Sequence, residues 1–582
     1  MSARASLAAG PERVAGARFY IGLSTSGHDP SFAVVDSDGR LLFAESSERY
    51  LQDKRAWGAA PDLPAHMLPV IHNLCGTAPE VTIATTWQHA KPELDAPPDS
   101  GHASLISEAD ARWLNALQRQ AFSMAGAHLR NSLGLPRETV IRRFDHHLTH
   151  ALAASLSCEA EDATCLVMDG EGDVGSVSVF DMTARRLSRR WRSWGPGSIG
   201  AYYGWATDMC GFDWRLGEEW KVMGLAALGK PDRAITSAMA DLLQFDRGRP
   251  LPASAAALDA AEALITQHRR CRTDPDVEKF ADLAASAQSA FGRMADQVLQ
   301  AVQTEVGGPL ILTGGCALNS AYNGTILRRF AFDSIHVPSA PADDGNAIGA
   351  ALAAWLEDYP DRRLPVQTSP YLGSTSQSRS IEGMLRNFTG ADITRVGTQS
   401  PQRVAELLAA GQIVGVMRDR AEFGPRSLGH RSILANPTDR GMKEKINARV
   451  KGREAYRPFA PVVLEEQAAD WFHDAQPSPY MSFALQWRKA VRERVPAVVH
   501  DDGTGRLQTV SRDGAPWMHD LVSAFGALSG TPVVLNTSFN VMGKPIVHSV
   551  EDAIAVFATT GLDAVLIDDL LIRKRAQSEN SA

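Results

Sequence analysis

One arrangement occurs twice in the first half of the chain. A strand-like run at 19–24 is followed by a polar loop of Gly, His, Asp and Ser, and then by a second strand-like run at 32–36. A buried-type run at 163–168 is followed by an Asp- and Gly-rich turn (DGEGD, 169–173) and an alternating run at 176–181. This repetition predicts an internal duplication of one βββαβα-like unit. We therefore expect an α/β domain with two related halves.

The length of the chain calls for more than one domain. At 582 residues it exceeds what a single core holds, so two or three domains are expected. Residues 359–370 combine three prolines with mixed charge, which is typical of a domain boundary. Residues 1–17 are rich in Ala, Ser, Gly and Arg without an apolar core, and predict a disordered extension. The predicted domains are 18–365 and 366–582.

Charge and cysteine content exclude several classes of protein. A net charge of -8 and a pI near 6.1 give no reason to expect nucleic acid or an anionic membrane as a partner. Six scattered cysteines without a CxxC pair argue against a zinc ribbon and a disulfide framework. The sequence contains no run of about 18 apolar residues, so no membrane span is predicted. A cytoplasmic location is expected.

Candidate metal ligands occur at several predicted strand and helix ends. His146 and His150 stand four residues apart, so a helix places both on one face, where they can reach one metal ion. The alternative is a polar helix start with Asp145 near its N-terminus. Asp169 follows a buried strand and either holds a metal, faces a nucleotide phosphate or forms a simple Asp-Gly turn. Asp343 precedes a small-residue helix and is either a ligand or a capping residue.

Two glycine-rich sites can approach a phosphate. A strand at 309–313 runs into Gly314 and Gly315 and a helix start, where backbone amides come close to an anion. The loop containing His28 offers a similar approach, although an ordinary loop is the simpler alternative. The segment 218–225 is interpreted as the start of a helix that packs on the core.

The second half carries cations among rigid residues. Arg418, Arg420, Arg426 and Arg431 fall within fourteen positions, and Lys451, Arg453 and Arg457 follow. A solvated surface does not need arginines embedded among Gly and Pro, whereas a site that grips phosphate does. The strand at 532–535 opens onto hydroxyl and amide side chains that are plausible phosphate ligands.

Taken together, these motifs resemble the NodU / tobramycin-type O-carbamoyltransferase family from about residue 21 to about residue 567. The motifs that carry the resemblance are HDPS at 28–31, DHHLTHA at 145–151, DGEGD at 169–173, EEWKVMGLA at 218–226, GGCALN at 314–319, DDGNAIGAA at 343–351, EFGPRSLGHRSI at 422–433, YRPFAP at 456–461 and LNTSFN at 535–540.

The resemblance implies a fold and a reaction. The fold is α/β: a duplicated N-terminal domain of the actin / sugar-kinase superfamily and a C-terminal YrdC-like domain. The YrdC-like domain is expected to join carbamoyl phosphate and ATP into carbamoyl-adenylate, with loss of pyrophosphate and phosphate. The N-terminal domain then passes the carbamoyl group to a hydroxyl of a small molecule, such as an antibiotic or another secondary metabolite.

The resemblance also assigns residues. The implied metal ligands are His146, His150, Asp169 and Asp343, with Fe²⁺ as the expected ion and Mg²⁺ accompanying ATP, and His147 as the histidine that does not bind. Gly314, Gly315 and Asn319 would line the adenylate. Lys54 matches a family lysine within an altered segment, and Asp173 stands where the family has glutamate.

Two further groups of residues are given roles. We hypothesise that His28 is the base or orienter for the acceptor hydroxyl, with phosphate binding or hairpin capping as the alternative. Lys54 is the second catalytic candidate. The residues expected to bind carbamoyl phosphate and ATP in the second domain are Arg418, Arg426, Arg431, Lys451, Arg453, Arg457, Asn536, Ser538 and Asn540.

Three competing functions stay open at this point. They are an ATP-dependent kinase or ATPase of the same superfamily, a tRNA threonylcarbamoyl-type transferase, and a metal-binding protein without catalysis. The first has no need of HxxxH or of an arginine-rich second domain, and the second should bring a basic surface. The acceptor is expected to be chosen by loops at 88–110 and 191–215.

Overall fold

A computed structural model describes residues 18–76, 80–93, 104–136, 139–305, 308–376, 381, 383, 390–454, 456, 457 and 459–575. The predicted extension at 1–17 lies outside the described residues. The fold consists of two similar α/β halves followed by a larger α/β sheet, and each is described in turn.

The first half is built on a five-stranded sheet in the order β3-β2-β1-β4-β5. The first strands form an antiparallel meander, and the fourth and fifth strands add in parallel. Its elements are Arg18–Leu23 (β1), Ser31–Val35 (β2), Leu41–Ser46 (β3), Ser47–Leu51 (α1), Pro64–Cys75 (α2), Glu80–Thr86 (β4), Glu108–Met124 (α3), Ala127–Leu133 (α4), Ile141–Phe144 (β5) and His146–Leu156 (α5).

The second half repeats this sheet in the order β12-β11-β6-β7-β8. Its first three strands are again antiparallel and its last two are parallel to the first. Its elements are Ala163–Met168 (β6), Val177–Thr183 (β7), Arg186–Arg192 (β8), Ile199–Met209 (α6), Glu219–Ala226 (α7), Arg233–Ala240 (α8), Leu243–Asp246 (β9), Arg249–Pro252 (β10), Ala255–Ile265 (α9), Ala281–Glu305 (α10), Leu310–Thr313 (β11), Ser320–Asn323 (α11), Ile326–Arg329 (α12), Ile335–His336 (β12) and Asn346–Asp358 (α13). The shared strand order confirms the predicted duplication and the actin / sugar-kinase-like class.

Helices α5 and α13 pack against each other between the two sheets, and glycines set how closely they approach. A Cβ added at Gly349 in α13 would lie 1.8 Å from the carbonyl oxygen of Thr149 in α5. A Cβ added at Gly22 in β1 would lie 1.9 Å from the carbonyl oxygen of Ala347. Only hydrogen fits at these two positions, so the beginnings of α5 and α13 are held close together.

The C-terminal part is a nine-stranded sheet in the order β14-β23-β22-β15-β17-β21-β18-β20-β19, with a separate pair β13-β16. One hydrophobic core runs from the second half into this sheet and includes both Phe291 and Phe539. The elements are Tyr371–Thr375 (β13), Ala391–Arg395 (β14), Ser400–Ala409 (α14), Val414–Met417 (β15), Arg420–Glu422 (β16), Arg431–Ala435 (β17), Met442–Ile446 (α15), Ala460–Leu464 (β18), Ala468–Trp471 (α16), Phe483–Gln486 (β19), Thr504–Val510 (β20), Pro516–Ser529 (α17), Val533–Ser538 (β21), Val550–Thr559 (α18), Ala564–Ile567 (β22) and Leu570–Lys574 (β23).

Some local features go beyond what the sequence patterns predict. Gly126 adopts φ 69° and separates α3 from α4. The alternating run predicted at 176–181 lies in β7, which a turn joins to the antiparallel strand β8, and β9 and β10 form a further hairpin.

The six cysteines all lie in the described part of the chain, and none forms a disulfide. Among the described residues, no helix combines the length and the apolarity that crossing a membrane requires.

Candidate metal centre and cation cluster

The predicted helix bearing the HxxxH motif begins at the first histidine. Asp145 is its N-cap and accepts a hydrogen bond from the amide of Leu148 at 2.9 Å. The carboxylate of Asp173 accepts from the amide of His146 at 2.7 Å and from the amide of Gln88 at 2.9 Å. These two carboxylates therefore bind the amides of His146 and Leu148, which the helix itself leaves unpaired, and they hold the first turn in place.

Four side chains converge from three elements at this point. His146 Nε2 lies 3.1 Å from Asp169 Oδ2 and 3.6 Å from Asp343 Oδ1. His150 Nε2 lies 3.3 Å and 3.4 Å from the same two oxygens. Helix α5 supplies the histidines, the end of β6 supplies Asp169, and a 3₁₀ turn at Asp343–Gly345 before α13 supplies the other carboxylate. Each residue can point one ligand atom at a common position.

The residues present fit a divalent transition metal. All four are buried, with exposures of 0% for His146, 1% for His150, 6% for Asp169 and 7% for Asp343. Burial disfavours the imidazolium, yet the two carboxylates outweigh it and raise the pKa of His146 to about 10. Burial also opposes ionisation of Asp343, but the histidines hold its pKa well below its usual range. Two nitrogens and two carboxylate oxygens suit iron or zinc.

Neighbouring hydrogen bonds orient these ligands. Thr86 Oγ1 lies 3.1 Å from His146 Nδ1 and 3.0 Å from Thr149 Oγ1, and Thr149 Oγ1 donates to the carbonyl of His146 at 2.7 Å. This chain closes when Nδ1 donates to Thr86, which leaves the Nε2 lone pair for a metal. Asp169 Oδ1 accepts from the amide of Gly315 at 2.8 Å, so its other oxygen faces the histidines. Sequence reasoning missed Thr86, which no motif marks.

His147 lies apart from the other two histidines. Its Nδ1 lies 2.8 Å from Ser178 Oγ in β7, and burial lowers its pKa to about 3. This position agrees with the prediction that only the outer histidines of the motif face the metal.

His28 lies at the edge of the metal centre. Its Nε2 is 3.8 Å from Asp343 Oδ2, and its Nδ1 is 2.9 Å from Asp29 Oδ2. The guanidinium of Arg55 donates to the same Asp29 oxygen at 3.0 Å from Nη2. With Nδ1 held by Asp29, the Nε2 of this part-exposed ring faces the metal ligands. Sequence reasoning missed Arg55, whose φ of 60° turns its side chain back over the loop.

The predicted adenylate residues divide into two kinds. Gly314 has φ 89°, and a Cβ there would lie 2.3 Å from the carbonyl oxygen of Met168, so only glycine fits. Gly315 is next to Asp169, as described. Asn319 caps α11 by accepting from the amide of Tyr322 at 3.1 Å, and its amide group is paired with Gln288. Gly314 and Gly315 therefore lie against the metal centre, and Asn319 lies one turn further on.

A second polar region is a cluster of cations that the C-terminal part shares with Lys54 of the first half. We call it the cation cluster; it consists of Lys54, Arg426, Lys451, Arg453, Arg457 and Arg506. Burial lowers the pKa of Lys451 well below its usual range, and Arg453, Arg457 and Lys54 lower it further. Burial lowers the pKa of Arg506 in the same direction, with Arg426, Arg453 and Arg457 adding to it.

The cluster has more donors than acceptors. Buried nitrogens of Arg453, Arg457 and Arg506 find no hydrogen-bond partner among the described residues. The cationic side chains lower one another's pKa, and some of their donors remain unpaired. Such a group of side chains is a suitable site for an anion with several oxygens. Arg506 in β20 was missed by sequence reasoning, because it is isolated from the other cations along the chain and comes near them in the folded sheet, where β20 lies between β18 and β19.

Lys451 connects the cluster to the predicted LNTSFN motif. It ends a π-helical turn at Asn447–Lys451, and its Nζ donates to Asn540 Oδ1 at 2.7 Å and lies 3.4 Å from Ser538 Oγ. Asn536 is buried deeper and donates to Gln508 Oε1 at 2.8 Å and to the carbonyl of Ser427 at 3.1 Å. Ser538 and Asn540 thus belong with the cations, whereas Asn536 supports the sheet beneath them.

Two predicted phosphate ligands lie elsewhere. Arg431 is fully buried, and its guanidinium donates to the carbonyls of Arg418, His430, Ser374 and Asp419. Arg418 lies over the ring of Trp517 at 4.8 Å and pairs with Asp419 at 2.8 Å. The structure does not bring either residue to the cation cluster, so their expected role as phosphate ligands is not carried forward.

Helix α7 lies between the metal centre and the cation cluster. Glu219 Oε1 is 3.8 Å from Arg55 Nη1, on the side of His28. The next residue, Trp220, packs its ring 3.6 Å from the guanidinium of Arg457. Lys221 Nζ lies 3.2 Å from Glu454 Oε1, beside the cluster. The segment expected only to pack on the core therefore connects the two regions. Lys54 faces the cluster rather than His28, so the two catalytic candidates are not brought together.

Comparison with known proteins identifies the family. Residues 116–352 match the family profile "Carbamoyltransferase N-terminus", and residues 405–574 match "Carbamoyltransferase C-terminus". Nodulation protein NolO of Bradyrhizobium diazoefficiens is 36% identical over 75% of this chain and 79% of its own length. The chain belongs to the carbamoyltransferase family.

Other carbamoyltransferase relatives and solved structures complete the comparison. The 3'-hydroxymethylcephem-O-carbamoyltransferase of Amycolatopsis lactamdurans is 28% identical over 93% of this chain and 97% of its own length. HypF of T. kodakarensis is 13% identical with a TM-score of 0.28, covering 59% of this chain and 48% of HypF. All four predicted metal ligands fall in the N-terminal carbamoyltransferase match, and all of the cation cluster except Lys54 falls in the C-terminal one. Carbamoyl transfer is thus the activity of the family to which the chain belongs.

Proposed function

We propose that this protein is an ATP-dependent O-carbamoyltransferase that moves the carbamoyl group of carbamoyl phosphate, through carbamoyl-adenylate, to a hydroxyl of a small-molecule acceptor. The observation that carries the proposal is the presence of two chemically different sites in one chain: a carboxylate–histidine centre beside His28, and a cation cluster with unpaired donors. A kinase needs one phosphate site, and this chain has a second that is rich in cations.

The cation cluster suits the first half-reaction. Water adds to carbamoyl phosphate and releases phosphate, leaving carbamate. A carbamate oxygen then attacks the α-phosphorus of ATP, the bond to the β-phosphate breaks, and pyrophosphate leaves. Both steps gather negative charge on phosphate oxygens, and Arg453, Arg457 and Arg506 have unpaired buried donors that can bond to such oxygens. Lys54 and Lys451 both lie close enough to Arg457 to interact with it electrostatically.

The metal centre suits the second half-reaction. The acceptor oxygen attacks the carbamoyl carbon, the carbon–oxygen bond to AMP breaks, and the hydroxyl proton leaves. We assign this proton to His28 Nε2, and the contacts of Asp29 with Nδ1 and of Arg55 with Asp29 support the assignment. The amides at Gly314 and Gly315 offer an approach for the adenylate phosphate. Held together in this way, acceptor and adenylate gain on the order of 7 kcal/mol over free collision.

A metal ion would be held by His146, His150, Asp169 and Asp343, with Fe²⁺ as our proposed ion. When bound, it neutralises phosphate charge and polarises the carbamoyl carbonyl. Thr86 and Gly315 keep the ligand atoms pointed inward.

Carbamoyl-adenylate hydrolyses readily, so it must travel between the sites without meeting bulk water. Helix α7 lies between the sites and contacts both. We propose that the side of α7 carrying Glu219 and Trp220 lines the path.

The deciding experiment measures the products of ATP. With carbamoyl phosphate present and no acceptor, the protein should release pyrophosphate, and removal of carbamoyl phosphate should abolish the release. Formation of ADP would instead identify a kinase or ATPase and overturn the proposal. A requirement for threonine and tRNA in place of carbamoyl phosphate would identify the threonylcarbamoyl-type alternative.

A further inference from the structure

Strand β4 is followed by a tryptophan with a strained backbone. Trp87 comes directly after Thr86, the last residue of β4, and adopts φ 67°, in the left-handed region. A bulky residue seldom adopts this conformation, and it persists only where the surrounding structure holds it in place. Trp87 is also buried, with 4% of its surface exposed. The contacts of its indole account for the position that the backbone strain maintains.

The indole of Trp87 packs on a metal ligand. Its ring lies 4.2 Å from the imidazole of His146, and the two planes are 28° apart. Nζ of Lys91 lies 4.4 Å from the same indole and 2.6 Å from Glu171 Oε1 in the DGEGD turn. The hydrogen bond with Thr86 fixes one atom of the imidazole, whereas the stacked indole fixes the plane of the ring. A ligand whose orientation is already set loses less freedom when it binds a metal.

The same segment is bonded to the loop that carries His28. Trp87 Nε1 donates to Ser26 Oγ at 3.0 Å, and Thr25 Oγ1 donates to the carbonyl of Thr86 at 2.8 Å. Ser26 is buried and stands two residues before His28. One indole therefore contacts both a metal ligand and the loop that supports His28.

We propose that Trp87 is a positioning residue with two roles: its indole sets the plane of His146 for the metal and, through Ser26, it sets the place of His28. That His28 takes part in transfer rests on the proposed function. His28 Nε2 lies 3.8 Å from Asp343 Oδ2, so a small shift of the loop changes how far the proposed base lies from the metal centre. A misplacement of about 1 Å can lower a rate by roughly 100-fold.

Three variants of the full-length protein separate the two roles. Trp87→Leu removes both the aromatic face and the indole donor. Trp87→Phe keeps an aromatic face and removes the donor, and Ser26→Ala removes only the acceptor of that donor.

The first role is tested by Co²⁺ binding. Protein freed of metal with a chelator is titrated with Co²⁺, and the affinity and the visible absorption of the bound ion are recorded. Trp87→Leu should bind Co²⁺ roughly 10–100-fold more weakly and shift its absorption bands, as expected when a contact that orients a ligand is lost. Trp87→Phe should restore most of the affinity, because a phenyl ring can still stack on His146. Ser26→Ala should bind Co²⁺ as the wild type does.

Amide hydrogen exchange, followed by mass spectrometry, tests the second role without ATP or acceptor. The segment 24–29 should exchange at least roughly fivefold faster in Trp87→Phe and in Ser26→Ala than in the wild type, because a buried polar group loses its partner. The two variants should agree, since they remove the same hydrogen bond from its two ends.

Trp517→Leu is the matched control. Trp517 is also buried, its Nε1 donates to Ser400 Oγ at 2.9 Å, and Arg418 lies 4.8 Å over its ring. It belongs to α17 in the C-terminal part. This variant should keep the Co²⁺ affinity of the wild type and its exchange at 24–29. Weakened Co²⁺ binding equal to that of Trp87→Leu would attribute the effect to general destabilisation and overturn the first role.

Two further outcomes would contradict the proposal. Wild-type Co²⁺ affinity in Trp87→Leu would overturn the first role, and unchanged exchange in Trp87→Phe and Ser26→Ala would overturn the second. If Trp87→Leu does not fold, Trp87→Gly takes its place, because glycine suits φ 67°. Neither measurement uses ATP or carbamoyl phosphate, so a lack of pyrophosphate release would overturn the proposed function alone.

Discussion

Arg431 and Arg457 illustrate how the same side chain serves opposite purposes in this protein. The guanidinium of Arg431 is surrounded by four carbonyl oxygens and joins turns of the C-terminal part. Arg457 instead stacks on Trp220 and lies 3.7 Å from Glu454, and its Nε, like that of Arg431, has no hydrogen-bond partner among the described residues. Their neighbours along the chain are similarly rich in Gly and Pro. The difference lies in the acceptors that the fold places around them, which is why local sequence could not separate the two roles.

At residue scale, the first prediction concerns the metal ligands. Asp169→Asn removes a metal ligand, so it should lower the affinity for metal by more than the roughly 10–100-fold that is typical when only a supporting contact is lost. The purified variant should therefore contain less metal than the wild type. The measurement is metal per protein by plasma mass spectrometry after purification. His147→Asn changes a buried histidine one position from a ligand and should keep the metal. Equal metal loss in both variants would contradict the assignment of the outer histidines.

A second residue-scale prediction concerns the arginine that sequence reasoning missed. Arg506→Met should lower carbamoyl-phosphate-dependent pyrophosphate release by about 100-fold or more, because it removes a charge-assisted donor from the cluster. Arg512→Met lies just beyond the same strand, with its side chain 69% exposed, and should leave release unchanged. Transfer from supplied carbamoyl-adenylate should survive in both variants. Loss of transfer in Arg506→Met would move this arginine to the other site.

At the scale of elements, the approach of α5 and α13 sets the geometry of the metal centre. The third prediction is that Gly349→Ala disturbs it without changing a ligand. The added methyl would overlap the Thr149 carbonyl, which should lower the free energy of unfolding by at least about 1–3 kcal/mol. It would also push apart the first turn of α5, which carries the histidines, and the first turn of α13, which follows Asp343. Lower metal content and a lower melting temperature should appear together.

The matched control is a glycine in another helix. Gly292 in α10 has its nearest neighbour, Tyr322, at 3.7 Å from an added Cβ, which is an ordinary contact. Gly292→Ala should be neutral or stabilising by up to about 1 kcal/mol, since alanine is the better helix former. Metal loss in this control would mean that the centre responds to general strain rather than to the helix crossing.

The elements also show what the sequence could predict. Local patterns predict the strand ends that carry Asp169 and the Gly-Gly turn, and they predict the helix that begins at His146. The duplication predicts that these elements lie close together in the fold. The break at Gly126 and the strand β8 were missed, because their local sequence is compatible with a continuous helix and with a charged turn. The role of α7 could not be predicted, because its two partners, Arg55 and Arg457, lie far apart along the chain.

At the scale of the whole molecule, a buried ion pair joins the N- and C-terminal parts. Glu45 in β3 bonds His66 Nε2 at 2.6 Å and accepts from Ser374 Oγ at 2.7 Å, and His548 Nδ1 lies 3.7 Å from it. Burial opposes the charge on His548, but Glu45 outweighs it and raises the pKa of His548 above its ordinary 6.5. Burial likewise opposes ionisation of Glu45, yet His548 and His66 hold its pKa well below 4.5.

The fourth prediction follows from the signs of these shifts. The contribution from Glu45 is present above about pH 4.5 and is lost as pH falls through its lowered pKa. That from His548 is complete below about pH 6.5 and is lost as pH rises through its raised pKa. Contact between the two parts should therefore be strongest near pH 5–6 and weaken toward alkaline pH.

Thermal unfolding and limited proteolysis between pH 5.5 and 8.5 test this, with about half-unit steps. His548→Gln should be less stable than wild type at the acidic end and should converge with it at the alkaline end. His519→Gln removes a histidine that pairs with the exposed Glu466 away from this contact, and it should keep the wild-type profile. A constant difference between His548→Gln and wild type across the range would exclude the ion pair as its cause.

Helix α7 places consecutive residues against two different sites, with Glu219 toward Arg55 and Trp220 on Arg457. A rigid helix cannot shift one of these residues without shifting the other. If a ligand that fills the cation cluster moves Trp220, Glu219 moves with it. The affinity with which an acceptor binds beside His28 then changes by some factor. Thermodynamic reciprocity then requires that acceptor bound beside His28 change the affinity of the cluster for nucleotide by the same factor. Under the proposed function, this coupling predicts that a bound acceptor changes the rate at which adenylate is formed.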